Sequence, residues 1–391
     1  KGGEMVRVVI GLSGGVDSAI SALLLKQRGF DLHAIYMVNW DAQEAGSSSC
    51  PRSRDEEDAR SVASRLRIPF HSVNFVKEYW NEVFTRMLSN YARGRTVVPD
   101  VDCNRRIKFD HLHRVAQKRF AADYIATGHY ASTSYGDLQE KRDDGRCRLL
   151  CGVDPLKDQS YFLSTLREEQ LKRAMFPLGS LTKKAVKTIA EENGFTDISR
   201  RPESMGICFV GKQHSFGSFL DSYIVPVQGV VRDAESGRVL ADHSGVHLFT
   251  LGKRLSIGPR SHLGYFVAAI HGPSSTVYAC EGSHHPVLYA QEFIIEEPEW
   301  IVDPPSDATP LTCRIQRTHV PVPCRLRRLS PTRLIVQPHL PLRAAASGQM
   351  CVFYSGRECL GAGEVQGVLS SLASPSSLAF RQEDCAPNTL A

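Results

Sequence analysis

No run of apolar residues in this 391-residue sequence approaches the roughly 20 needed to cross a bilayer as a helix, so no membrane partner is expected. A strong charge of either sign is also missing. The surplus is +5, which permits a polyanionic partner without demanding one. Eleven cysteines are too sparse and irregular for a disulfide-stapled secreted scaffold, and a reducing compartment suits them better. Cys147 and Cys151 lie four positions apart, but no second Cys or His pair stands nearby to complete a zinc site. There is no internal repeat. Lys1 precedes Met5, and a targeting peptide is neither read nor excluded.

What is present is an alternation of strand-like and helix-like segments. Residues 6–12 (VRVVIGL) read as a buried strand, 19–28 as a helix stopped by Gly29, and 31–38 as a second strand. A helix over 54–66, a strand over 70–75, a helix over 76–91 and another over 108–121 lead into residues 124–126. This order predicts a doubly wound parallel sheet, the α/β class. Past about residue 166 the character changes. Two short helical patterns (182–193 and 215–224) flank a loop containing ESMGICFVG, and from Gly229 on short β-type runs are punctuated by turns, as in small β-barrels. The expected division is 1–165, a central domain over 166–283, a C-terminal β-barrel over 284–370, and a Ser/Pro/Ala-rich disordered tail over 371–391.

Between the first strand and helix stands Ser13-Gly14-Gly15-Val16-Asp17-Ser18. Strand, Gly-rich loop and helix start together present backbone N–H groups to a phosphate, and Asp17 reads as a ligand for Mg²⁺ bridging a pyrophosphate. The loop lacks the Gly-Lys-Ser/Thr ending of kinases and GTPases, so γ-phosphate transfer is not expected. SGGVDS resembles the loop of the PP-loop ATP pyrophosphatase superfamily, whose members adenylate an oxygen and then displace AMP with a nucleophile. That alone leaves several substrates open.

Two cysteines stand in segments that read as loops. Cys103 follows Val98-Pro99-Asp100, and Cys208 lies in ESMGICFVGK; each has basic or small neighbours that could stabilise a thiolate. By spacing alone such a cysteine is more often an inert buried residue. The ordered set SGGVDS, Asn39-Trp40-Asp41, PDxxCN, ATGHYA, Lys157-Asp158-Gln159-Ser160-Tyr161-Phe162 and ESMGICFVG resembles the tRNA-specific 2-thiouridylases, bacterial and mitochondrial, from about Val6 to Gly367.

The resemblance implies that ATP adenylates O2 of the wobble uridine in a tRNA anticodon loop. A Cys208 persulfide would then deliver sulfur, Cys103 would attack the persulfide or close a disulfide with Cys208 as sulfur is released, and Asp100 would be the general acid/base. A persulfide donor protein would load Cys208, and a reductant would reopen a Cys103–Cys208 disulfide. ATP contacts carry over to Gly11, Leu12, Ser13, Gly14, Gly15, Val16, Asp17, Ser18, Met37 and Gly128. Contacts to tRNA carry over to Val98, Pro99, Asp100, His129, Lys157, Asp158, Gln159, Arg317 and Gln349. Taken alone, Lys157 reads as a solvated surface charge and takes its weight only from the KDQ context, while the alternative for His129 is a histidine packed under the nucleotide. Arg93, Arg95 and residues 105–108 place positive charge around Cys103, and Arg325, Arg327 and Arg328 either track RNA or solubilise a strand.

Two departures stand out: Val98 replaces the family's Asn, and residues 314–319 lack an alternating Arg-aromatic-Arg pattern. A ligase with a nitrogen nucleophile would leave both cysteines idle, and a catalytically silent tRNA binder would rest on Val98 alone. Segments VKEYWNEVF and EGSHHPVLY look closer to the mitochondrial branch, so the matrix is the expected compartment, with the cytoplasm as the alternative.

Overall fold

A computed structural model describes residues 5–40, 51–143, 145–201, 216–257, 262–296, 298–306 and 308–385. Its first part alternates as expected: β1 (Arg7–Gly11), α1 (Val16–Gln27), β2 (Asp31–Val38), α2 (Pro51–Leu66) and β3 (Phe70–Asn74). Then come β4 (Tyr124–Ala126), β5 (Ala131–Thr133), β6 (Leu149–Cys151) and β7 (Ala174–Met175). Five of these strands form one sheet in the order β3-β2-β1-β4-β7, parallel throughout. Successive β1 side chains go to opposite faces, as the pleat requires. Val8 and Ile10 pack with α1 and α2, while Val9 packs with Phe84, Ile107 and Leu112 on the other side.

The sheet does not stop at residue 165, where the sequence suggested a boundary. β7 is its edge strand, and the helix Lys183–Glu192 packs back on α1. A second correction concerns the Cys103 segment. It is helical from Pro99, in consecutive pieces Pro99–Asp102, Cys103–His111 and Leu112–Phe120, the middle one π-type. Pro99 occupies the first helical position, where its missing N–H costs nothing. The wide middle turns are held from outside: the Gln170 amide donates to the carbonyls of Arg105 (2.8 Å) and Phe109 (3.1 Å).

The second half is β-rich. Strands β8 (Gly229–Asp233), β9 (Val239–His243), β10 (Arg254–Leu255), β11 (Tyr265–His271) and β12 (Thr276–Glu281) form a five-stranded sheet. Next come β13 (Tyr289–Glu296), β14 (Glu299–Trp300), β15 (Thr312–Arg314), β16 (Val322–Ser330), β17 (Arg333–Pro338), β18 (Leu342–Arg343), β19 (Met350–Ser355) and β20 (Glu358–Ser371). The path β13-β17-β16-β15-β19-β20 closes on itself because β13 also pairs with β20, giving a barrel around Phe293, Val336, Cys351, Phe353 and Val365. β20 further pairs with β6, so barrel and catalytic layer share hydrogen-bonded strands.

Of the tail 371–391 expected to be disordered, residues 386–391 lie outside the described residues, while 371–385 are anchored to the rest of the chain at a few points. Phe380 stacks on Tyr278 with centroids 4.2 Å apart, and the Ala379 N–H donates to the Ala234 carbonyl at 2.8 Å. Composition pointed to disorder, but Leu378 and Phe380, partly buried, pack against the apolar cluster that contains Ala234, Val287 and Leu288.

Candidate active site

In an open α/β sheet the ligand crevice opens where the strand order reverses, here between β1 and β4. The loop 12–15 leaves β1 at that point. Gly14 has φ +81°, a conformation that favours glycine, and a Cβ there would sit 2.6 Å from the Asp55 carbonyl oxygen. The Ser18 hydroxyl fixes the loop's shape, accepting from Ser13 N–H (3.1 Å) and donating to the Gly15 carbonyl (3.0 Å). At the start of α1 the N–H groups of Val16, Asp17 and Ser18 have no carbonyl one turn back within the helix, which makes an anion cradle.

Other expected nucleotide residues converge here. Gly128 follows β4 so closely that a Cβ would lie 2.8 Å from the Asp17 carbonyl carbon and the Ser18 nitrogen. Gly11 is packed between Met37 of β2 and Leu112 of the cysteine helix; a Cβ would meet them at 3.6 and 3.8 Å. A cavity of about 510 Å³ lies further along the sheet, lined by Trp40, Asn74, Lys77, Trp80 and Asn81, and the phosphate loop does not line it.

Asp17, the expected Mg²⁺ ligand, is engaged by protein groups in this structure. Its carboxylate takes the Lys183 ammonium at 2.7 Å on both oxygens and the Tyr130 hydroxyl at 2.7 Å on Oδ1. A Mg²⁺ ion shared by Asp17 and phosphate oxygens would take the place of that ammonium on the carboxylate. Bound ATP would supply the remaining oxygen ligands, and no step is routed through such an ion.

Lys183 is the residue that sequence reasoning missed. It was read only as part of a helical pattern. A signal existed, since Lys183 and Lys184 open a helix, where cations oppose the helix dipole.

Cys103 begins the π-type turns and is only 5% exposed, packed among Tyr91, Ile107 and Phe109 rather than set in an open loop. Its neighbour Asn104 is buried and donates to the Phe162 carbonyl at 3.0 Å, tying the cysteine helix to the KDQSYF segment. Burial raises the Asp100 carboxyl above the usual carboxylate range, opposed by the Lys108 ammonium. Lys108 in turn lies 3.5 Å from His129 Nε2, and Thr127 Oγ1 is 2.7 Å from His129 Nδ1. Burial first, then Lys108, push the His129 pKa well below its ordinary value, so the ring is neutral. Asp100, Lys108 and His129 thus bridge the cysteine helix to the turn after β4.

The expected tRNA residues divide into two groups. Asp158 is 4% exposed and pairs with buried Arg314 at 2.5 Å, while its carboxylate also accepts from Gly152 N–H and Ser160. It is a joint between catalytic layer and barrel, as is Tyr161, whose hydroxyl reaches the Ile315 carbonyl at 2.9 Å. Gln159 Oε1 accepts the Tyr130 N–H, and Gln349 Oε1 accepts the Ala346 N–H, so both amides hold turns. Arg317 Nη1 donates to the Leu156 carbonyl at 2.8 Å, which sets it against the turn that carries Lys157, and both residues are half-buried. Val98 and Pro99 open the cysteine helix, beside the loop at 345–349 that packs on Thr96.

Several cations around Cys103 are already paired. Arg95 binds Glu364, Arg105 binds Glu299, and Arg106 approaches Asp102 at 3.5 Å. Cys208 lies outside the described residues.

Family models match the chain in three consecutive blocks. These are the tRNA methyl transferase HUP domain over 6–212, the tRNA methyl transferase PRC-barrel domain over 217–281, and the Aminomethyltransferase beta-barrel domain over 290–365. A Caenorhabditis elegans protein named probable mitochondrial tRNA-specific 2-thiouridylase 1 is 56% identical over 377 residues, covering 94% of this chain and 100% of that protein. Mitochondrial tRNA-specific 2-thiouridylase 1 of Homo sapiens is 40% identical over 380 residues, covering 92% of this chain and 90% of that one. The tRNA-specific 2-thiouridylase MnmA of Halalkalibacterium halodurans is 40% identical over 377 residues, covering 94% and 96% respectively.

Proposed function

The chain belongs to the tRNA-specific 2-thiouridylase family, and from that premise we propose that it replaces the C2 oxygen of a tRNA wobble uridine with sulfur, using ATP. The observation that carries this reading is the convergence at one crevice: the anion cradle of residues 13–18, Gly128, and the Asp100–Lys108–His129 bridge to the Cys103 helix.

Adenylation comes first. Uridine O2 attacks the α-phosphorus, the bond to pyrophosphate breaks, and the leaving pyrophosphate takes the electron pair. The N3 proton goes to Asp100, whose raised pKa makes it a better base than an exposed aspartate. The terminal sulfur of a Cys208 persulfide then attacks C2 and AMP departs. The Cys103 thiolate next attacks Cys208 Sγ, closing a Cys103–Cys208 disulfide and leaving sulfur on C2. Protonation at N3 gives 2-thiouridine. A dithiol reductant reopens the disulfide, and a persulfide-bearing donor protein reloads Cys208. His129, neutral, contributes shape and hydrogen bonding rather than charge to the pocket. Lys157 and Arg317 supply cations for the tRNA backbone. The mitochondrial names of the animal relatives support the matrix as its compartment.

The order of steps is testable by pyrophosphate release. With ATP and unmodified tRNA but no persulfide donor, Cys208→Ser is expected to release pyrophosphate as the unsubstituted chain does, while forming no 2-thiouridine. Release that requires the donor, or that runs without tRNA, would count against adenylation of the RNA.

A further inference from the structure

We propose that Lys183 is the cation that binds the pyrophosphate end of ATP, with Asp17 as the carboxylate that holds it ready. This rests on the reading that residues 13–18 cradle a nucleotide.

Lys183 is the first residue of the helix Lys183–Glu192, whose cap is the Thr182 side chain accepting from Ala185 N–H. A lysine there opposes the helix dipole, and its side chain is only 11% exposed. An ammonium so buried needs an anion, and Asp17 provides it, at 2.7 Å through each oxygen. Asp17 is the second residue of α1, so its own backbone N–H belongs to the cradle. The Lys183 ammonium therefore lies one carboxylate away from where a phosphate docks.

Three features suit it to hand over. The lysine backbone is fixed separately, its N–H donating to Asp154 Oδ2 at 2.9 Å, so the flexible stem can move without moving the helix. Asp17 keeps the Tyr130 hydroxyl at 2.7 Å when the ammonium turns away. An ATP triphosphate carries several negative charges against one on Asp17, which favours transfer of the lysine to phosphate oxygens. As the bond from the α-phosphorus to pyrophosphate breaks, the electron pair goes to pyrophosphate. The Lys183 ammonium offsets that added charge and gives up no proton.

A purely structural Lys183–Asp17 pair makes a different prediction, and affinity for three probes separates the two. Binding of ATP, AMP and inorganic pyrophosphate is measured by calorimetry on the full chain and on Lys183→Met and Lys183→Gln. Each variant is checked for an intact thermal transition and unchanged tRNA affinity. The expected result is a loss of about 10- to 100-fold for ATP and pyrophosphate, the scale of a charge-assisted hydrogen bond, with AMP within about 2-fold. Equal losses for ATP and AMP, or none for pyrophosphate, would overturn the proposal. If Lys183→Met does not fold, Lys183→Gln and Asp17→Asn carry the test. Freed from its carboxylate, Lys183 in Asp17→Asn should bind pyrophosphate at least as tightly as before, and weaker binding sinks the idea. Failure of the unsubstituted chain to bind ATP at all would instead strike the nucleotide reading itself.

Discussion

At the scale of single residues, the site works by fixing which groups are charged. His129 is buried beside Lys108 and stays neutral, so it resists protonation that the unfolded chain would accept. As pH falls below the ordinary histidine value of 6.5, the unfolded state takes up a proton that the folded ring refuses, and stability drops. The slope from this one group is at most about 1.4 kcal/mol per pH unit. His129→Gln should therefore flatten the fall in thermal midpoint between about pH 6.5 and 5. An unchanged pH dependence would show that the ring is protonated at no cost. Residues of this kind were legible from sequence as positions but not as states. His129 stood in ATGHYA, yet its neutrality comes first from burial and then from Lys108, 21 positions earlier. Lys183 could not be tied to Asp17 at all, because 166 residues separate them.

Elements explain where the reading from sequence succeeded and where it slipped. The strand at 31–38 was legible to the residue, because an apolar run bounded by Gly29 and a polar loop has one good solution. The helix through Cys103 was not. Residues 100–106 are mostly polar or charged, and the π-type turns over Cys103–His111 shift the side-chain period away from 3.6, so no amphipathic stripe shows. Its wide turns depend on Gln170, a partner that periodicity cannot reveal. The KDQSYF segment offers a sharper test at this scale. Asp158 and Arg314 form a buried pair between two layers, with Tyr354 at 2.7 Å from the same guanidinium. Asp158→Ala leaves that guanidinium without its carboxylate and should cost about 3–5 kcal/mol, whereas Asp158→Leu with Arg314→Met should recover much of it. Urea unfolding of the single and double variants checks this. Equal loss in both would mean that the pair is not a joint but a source of net stability.

For the whole molecule, the consequence of that joint is that catalytic layer and barrel present one continuous surface. β20 hydrogen-bonds to β6, Tyr161 reaches across to the barrel, and Arg317 is tied to the Leu156 turn. Part of what looked like RNA-contacting charge is therefore framework, and Lys157 with Arg317 remains at its edge. Segment 371–385 adds to the frame by packing Phe380 on Tyr278 of the five-stranded sheet. None of these long-range ties is visible in composition. The overall order of a parallel sheet followed by barrels was visible, because strand and helix periods differ so plainly between the two halves.

The central claim is sulfur insertion into tRNA, and nucleoside mass spectrometry tests it most directly. The chain is incubated with ATP, Mg²⁺, a persulfide donor, a dithiol reductant and unmodified tRNA, beside Cys103→Ser and Cys208→Ser. The account predicts 2-thiouridine at the wobble position with the unsubstituted chain and none with Cys208→Ser. Cys103→Ser should fall to a small fraction of full turnover. No 2-thiouridine from the unsubstituted chain while tRNA is bound, or undiminished product from Cys208→Ser, would contradict it.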